Sequence, residues 1–158
     1  MGTTFSEVAD LFLSSISDYK LDAIYSNSGS LVLNQYIEPW LLKSITDFSN
    51  TCTQDLSYTV VSGSTDGSFT ETLTTENKII LSMFMELYWL QKGIQDIRAM
   101  NNFISDRDFR GFSPAQNIVA RTAHYNVKKE ELSQRLIDYG YSHNITWSNW
   151  RNQKFSGS

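Results

Sequence analysis

The chain has 158 residues, 41% of them hydrophobic and 19% charged, with a net charge of -4 and a pI near 5.1. Those values suit one folded domain with a core of moderate size, and they argue against a protein that grips nucleic acid through a basic face. Cys52 is the only cysteine, which excludes an internal disulfide, and the two histidines, His124 and His143, form no short-spaced set of zinc ligands.

The N-terminal stretch MGTTFSEVAD is polar and has no signal-peptide pattern. Thr4-Phe5-Ser6-Glu7 has the form of a capping box, and Phe5, Val8, Phe12 and Ile16 follow at steps of three and four. A first helix is predicted over about 5–17, ending at Asp18-Tyr19, with a turn at SNSGS, 26–30. A second helix is predicted over about 31–49, burying Leu33, Ile37, Trp40, Leu41, Ile45 and Phe48. Pro39 lacks an amide donor, so a bend or break is expected near residue 38.

The pattern then changes from helical to alternating. DLSYTVV sets Leu56, Tyr58 and Val60 against Ser57, Thr59 and Val61. SGSTDG is turn chemistry, and SFTETL resumes the alternation, so a β-hairpin is predicted at about 55–73. A lone hairpin is marginal in water, so it either packs on the helices or protrudes and orders on a partner. Thr74 or Thr75 caps a third helix running to about Met100. Within it, IILSMFMELYWL (79–90) is apolar nearly all round, interrupted only by Ser82 and Glu86. That run is too short to span a bilayer, which takes roughly 20 apolar residues. It is therefore a central core helix or part of a subunit contact. A carboxylate at Glu86 needs a basic partner, a channel or a partly exposed edge.

Ser113-Pro114-Ala115-Gln116 opens a fourth helix. Ala115, Ile118, Thr122, Tyr125, Leu132, Leu136 and Tyr139 make a heptad-like seam, broken once by Lys129, about 39 Å long at 1.5 Å per residue. Gly140 is the expected stop. The segment from 142 on has no helical period but carries Trp147, Trp150, Arg151 and Phe155. Pure disorder is depleted in aromatics, so this tail is expected to gain order by docking on another protein.

No P-loop, GxGxxG, HExxH or GxSxG motif is present. Asp106 and Asp108 flank Arg107 as charges of a solvated loop, and His124 has no spaced nucleophile beside it. The expectation is a non-enzyme without cofactor: mainly α, a four-helix bundle over 1–141 with an inserted β-hairpin, and an irregular C-terminal tail at 142–158.

Five stretches, in order, carry a resemblance: FLSSISDYKL, LNQYIEPWLLKSITDFSNTCTQDL, LTTENKIILSMFMELYWLQKGI, DFRGFSPAQNIVAR and a long helix ending in IDYGY. Together they cover about residues 5–141 and resemble the head–tail connector (adaptor) proteins of long-tailed bacteriophages. The resemblance implies a structural virion protein, made in the host bacterial cytoplasm and placed in the neck. It implies a ring, typically of twelve copies, between the capsid portal and the stopper or tail, through which DNA passes without specific binding. The portal contact is expected at Trp147, Trp150, Arg151 and Phe155, and the stopper or tail contact at the hairpin tip, Ser64, Thr65, Asp66 and Gly67. The subunit contact is expected at Met83, Glu86 and Trp89 on the third helix. The competing readings are another tail-completion or assembly component of a phage, a monomeric helical module that binds a protein, and, last, a small enzyme.

Overall fold

A computed structural model of the chain describes residues 2–60, 67–103 and 114–143. They form a mainly helical bundle with a small antiparallel hairpin. The elements are α1 (Phe5–Ser15), α2 (Tyr19–Phe48), β1 (Tyr58–Thr59), β2 (Ser68–Phe69), α3 (Thr75–Phe103) and α4 (Pro114–Ser142).

α1 begins with the predicted capping box. Thr4 Oγ1 accepts from the Glu7 backbone N–H at 3.3 Å, and Glu7 Oε1 accepts from the Thr4 N–H at 3.2 Å. Phe5, Val8 and Phe12 turn inward from it. α3 opens in a similar way, with Thr74 Oγ1 accepting from the Asn77 N–H at 3.2 Å.

Residues 19–28 of α2 are helical rather than a connection. Helical geometry breaks at Gly29 (φ 79°, ψ 177°), inside the turn expected at 26–30, and not near Pro39. Gly29 has the left-handed φ that a residue without Cβ adopts freely. Pro39 keeps helical geometry because its ring lies on the solvent side, where water can serve the carbonyl left without a donor. Leu33, Ile37, Leu41, Ile45 and Phe48 form the buried face as read from their spacing.

The hairpin pairs Tyr58 with Phe69 and Thr59 with Ser68, a shorter ladder than the alternation suggested. It is held by the N-terminal residues. Phe69 N donates to the Thr3 carbonyl at 2.8 Å, Phe5 N to the Gly67 carbonyl at 2.8 Å, and Thr3 N to the Glu71 carbonyl at 3.1 Å. The buried Thr3 hydroxyl accepts from Leu73 N at 2.8 Å. Of the two alternatives for the hairpin, its described part packs against the bundle.

α3 is the central helix, packed on α1, α2 and α4. Ile80, Leu81, Met85, Leu87, Leu90 and Ile94 are buried, and no residue of 79–90 is exposed. Each such side chain contributes about 1.5–3 kcal/mol relative to leaving it in water. After the break α2 runs antiparallel to α3: Trp40 shares a cleft with Trp89, Leu90 and Gly93, and Phe48 packs on Phe84 further back along α3. Ion pairs Glu76–Arg135 and Glu86–Lys128 set α4 antiparallel to α3 as well, so α2 and α4 run in the same direction. They meet at one end, where Phe48 and Tyr139 lie edge to face at 5.5 Å. α4 continues through Gly140 to Ser142, two residues beyond the expected stop, because that glycine stays in the helical ladder.

Candidate interaction surfaces

Glu86 is buried, and its partner belongs to the same chain. Lys128 Nζ lies 3.5 Å from Glu86 Oε1 and 3.3 Å from Glu131 Oε2. Burial pulls the Lys128 ammonium down, but the two carboxylates outweigh it and hold its pKa above the ordinary lysine value. Met83 is half-buried against the core, and the Trp89 indole N–H donates to Asp18 Oδ2 at 2.7 Å. The burial that suggested a neighbouring subunit at Met83, Glu86 and Trp89 is therefore supplied by α1, α2 and α4 of this chain.

Gly67 stands otherwise than a tip residue should. It is buried, not exposed at a tip: a Cβ there would stand 2.6 Å from the Phe5 ring, so only glycine lets the ring close over the backbone. Ser64, Thr65 and Asp66 lie outside the described residues, as do Trp147, Trp150, Arg151 and Phe155.

The outward side of α4 carries a feature that the inner seam concealed. Val119, Ala123, Val127, Ile137 and Tyr141 are all exposed and fall on one face, with Glu130 and Gln134 filling the positions between. Val119 is 68% exposed, Ile137 52% and Tyr141 69%. The buried seam, Tyr125, Leu132, Leu136 and Tyr139, lies on the opposite side. α4 is thus apolar on two faces, and among the described residues only one of them is covered. The signal was countable in the sequence, since steps of four, four, three, four, three and four run from 119 to 141.

α2 shows a second such face after its break. Val32, Tyr36, Pro39 and Lys43 follow at steps of four, three and four, and all four are exposed. Lys43 Nζ sits 4.1 Å from the centre of the Tyr88 ring, a cation–π contact with α3. The Tyr88 hydroxyl donates to Asp47; burial, and then that carboxylate, push its pKa well above the ordinary tyrosine value.

Between these faces α2 and α4 splay apart over α3 and leave an open cleft of about 470 Å³. Tyr36 and Trp40 form one wall, Arg121 and His124 the other, and Trp89 and Leu90 the floor. At the closed end the Tyr139 hydroxyl receives the Thr53 N–H at 3.0 Å and meets Thr53 Oγ1 at 2.8 Å, which fastens the end of α4 to the segment after α2.

Among the described residues no three His, Cys, Asp or Glu side chains gather as a metal site, and no helix is long and apolar enough to cross a membrane. Comparison with family models, curated proteins and solved structures finds no match for the chain.

Proposed function

We propose that the chain is a structural connector subunit of a phage neck, assembling as a ring between the capsid portal and the stopper or tail. The observation that carries this reading is the pair of outward apolar faces, on α4 and on α2. Apolar surface gathered on one helix face marks a contact site, and a ring subunit has two neighbours to meet. The ordered motifs over residues 5–141 supply the connector assignment itself. The mild acidity suits a channel that DNA crosses without sticking, since basic linings hold phosphates.

The portal partner is assigned to the C-terminal aromatic segment with Trp147, Trp150, Arg151 and Phe155, because Trp and Arg dominate interface energies. Gly67 is withdrawn from the stopper contact, which leaves Ser64, Thr65 and Asp66. The subunit contact moves from α3 to the outward faces. Truncation after Tyr141 tests the portal assignment. Helical content and the unfolding midpoint should stay near wild type while retention on DNA-filled heads falls sharply; full retention would remove the tail as the anchor. A cryo-EM reconstruction of the particle neck tests the whole reading, which fails if the density there belongs to another chain.

The cleft favours a second reading, a monomeric helical module that holds a partner's side chains between Tyr36, Trp40 and Trp89. Sedimentation separates the two. A module stays monomeric at every concentration and on heads, and a connector does not.

A further inference from the structure

The two outward faces differ in character, so they cannot pair with themselves as well as with each other. The α2 face is led by a large aromatic, Tyr36, with Pro39 beside it. The α4 face offers small and branched residues, Val119, Ala123 and Val127. Each face also holds one ionised side chain among these positions, Lys43 on α2 and Glu130 on α4, of opposite sign. The spacing agrees: eleven residues separate Val32 from Lys43 and Val119 from Glu130. Laid side by side in the same direction, the faces set valine against valine, Tyr36 against Ala123 and Lys43 against Glu130. α2 and α4 do run in the same direction within one chain. A copy related by rotation about an axis along the helices therefore presents its α4 parallel to this α2.

We infer that the outward face of α4 docks against the outward face of α2 on a second copy of this chain, with Tyr36 over Ala123 and Lys43 paired to Glu130. This rests on the ring reading above and names its contact. The contact is heterologous: one copy uses its α4 face, the next its α2 face, and each retains the other face for a further copy. Such a contact propagates until it closes, which is what a ring requires. Opposite charges set the register, and like charges placed there oppose it.

The test is a charge exchange read by sedimentation velocity of the full chain. Lys43→Glu and Glu130→Lys should each weaken self-association about tenfold, and the double exchange should recover most of it. A second test uses Tyr36→Cys with Ala123→Cys in a Cys52→Ser chain under mild oxidation. The doubly substituted chain should give a ladder of linked species beyond the dimer, and neither single cysteine should link. If the chain assembles but ignores both charge changes and gives no ladder, the inference falls while the ring reading stands. Dimers from Tyr36→Cys alone overturn it in favour of a two-fold contact. Single exchanges that weaken association without recovery in the double overturn the pairing of Lys43 with Glu130. A chain that remains monomeric at all concentrations, and on DNA-filled heads, overturns the inference and the ring together.

Discussion

α3 and α4 are helices of equal length lying side by side, and they treat apolar surface in opposite ways. α3 is apolar around most of its middle, and no residue of that stretch is left exposed. α4 is far more polar, yet it leaves a strip of valine, isoleucine and tyrosine in water. The amount of apolar surface on a helix therefore does not identify an interface. The central place of α3 between three other helices shelters most of its circumference. α4 lies at the edge and, among the described residues, has neighbours on one side only.

Substitutions can break or sharpen this contrast. The largest effect is expected on α3. Leu81→Ala, at a fully buried position, should destabilise by about 2–5 kcal/mol, seen as a lower urea midpoint with an unchanged slope. A near-neutral result would mean that α3 is less enclosed than its burial indicates. Glu86→Ala comes next. It leaves Lys128 half-sheltered with only Glu131 and should cost about 1–3 kcal/mol, moderated by the partial exposure of the ammonium. Its loss should appear in monomer unfolding; a variant that unfolds like wild type but fails to associate would return the subunit contact to α3.

On α4 the inner and outer faces should separate. Tyr139→Phe removes the hydroxyl that receives the Thr53 N–H and should cost about 1–2 kcal/mol. Val119→Ser with Ile137→Ser on the outer face should move stability by no more than about 0.5 kcal/mol each while weakening association. Equal losses in both would mean that the strip belongs to the fold.

The smallest effect concerns pH. The Lys78 ammonium, 3.1 Å away, and the Thr4 amide hold the Glu7 carboxyl below its usual value. Its contribution is complete above the unfolded carboxyl pKa, about 4.5, and is lost as pH falls through the lower folded value. Glu7→Gln should therefore lower stability slightly at neutral pH and leave it unchanged well below pH 4. A difference that persists at pH 2 would point to lost packing instead of lost charge.

Much of the bundle was legible because its signals are local. The capping box at Thr4, the three-and-four spacing of α1 and α2, and the helix start at Pro114 each need only a few adjacent residues; Ser113, the expected cap, lies outside the described residues. The segment 19–28 escaped because it is mostly exposed: Tyr19 is 93% accessible, and only Leu21 is fully buried there, so no stripe marks it as a helix. Pro39 misled because its cost depends on which side of the helix it faces, which a linear reading does not supply. Glu86 posed its question correctly, but Lys128 lies 42 positions away, and only the antiparallel packing of α3 and α4 brings them together. The outer strip of α4 was diluted by Glu130 and Gln134 and overshadowed by the stronger inner seam. The aromatic tail and most of the hairpin tip lie outside the described residues, so their assignment stays with the composition that suggested it.

The attachment of Thr3 and Phe5 to residues 67–73 also governs the order in which the molecule can be finished as it is made. Thr3 and Phe5 bond to residues translated some 62–70 positions later. At roughly 5–20 residues per second that interval is about 3–15 s. Until residue 69 is made, Phe5 lacks the Phe69 ring that ends 5.3 Å from it, and only the Tyr58 ring, 5.6 Å away in the finished fold, precedes that one. Thr3 and Phe5 are thus made well before the residues they dock upon. Gly2 is part of the same attachment: a Cβ there would begin 1.7 Å from the carbonyl oxygen of Phe69, so a side chain at this position would push the strand away.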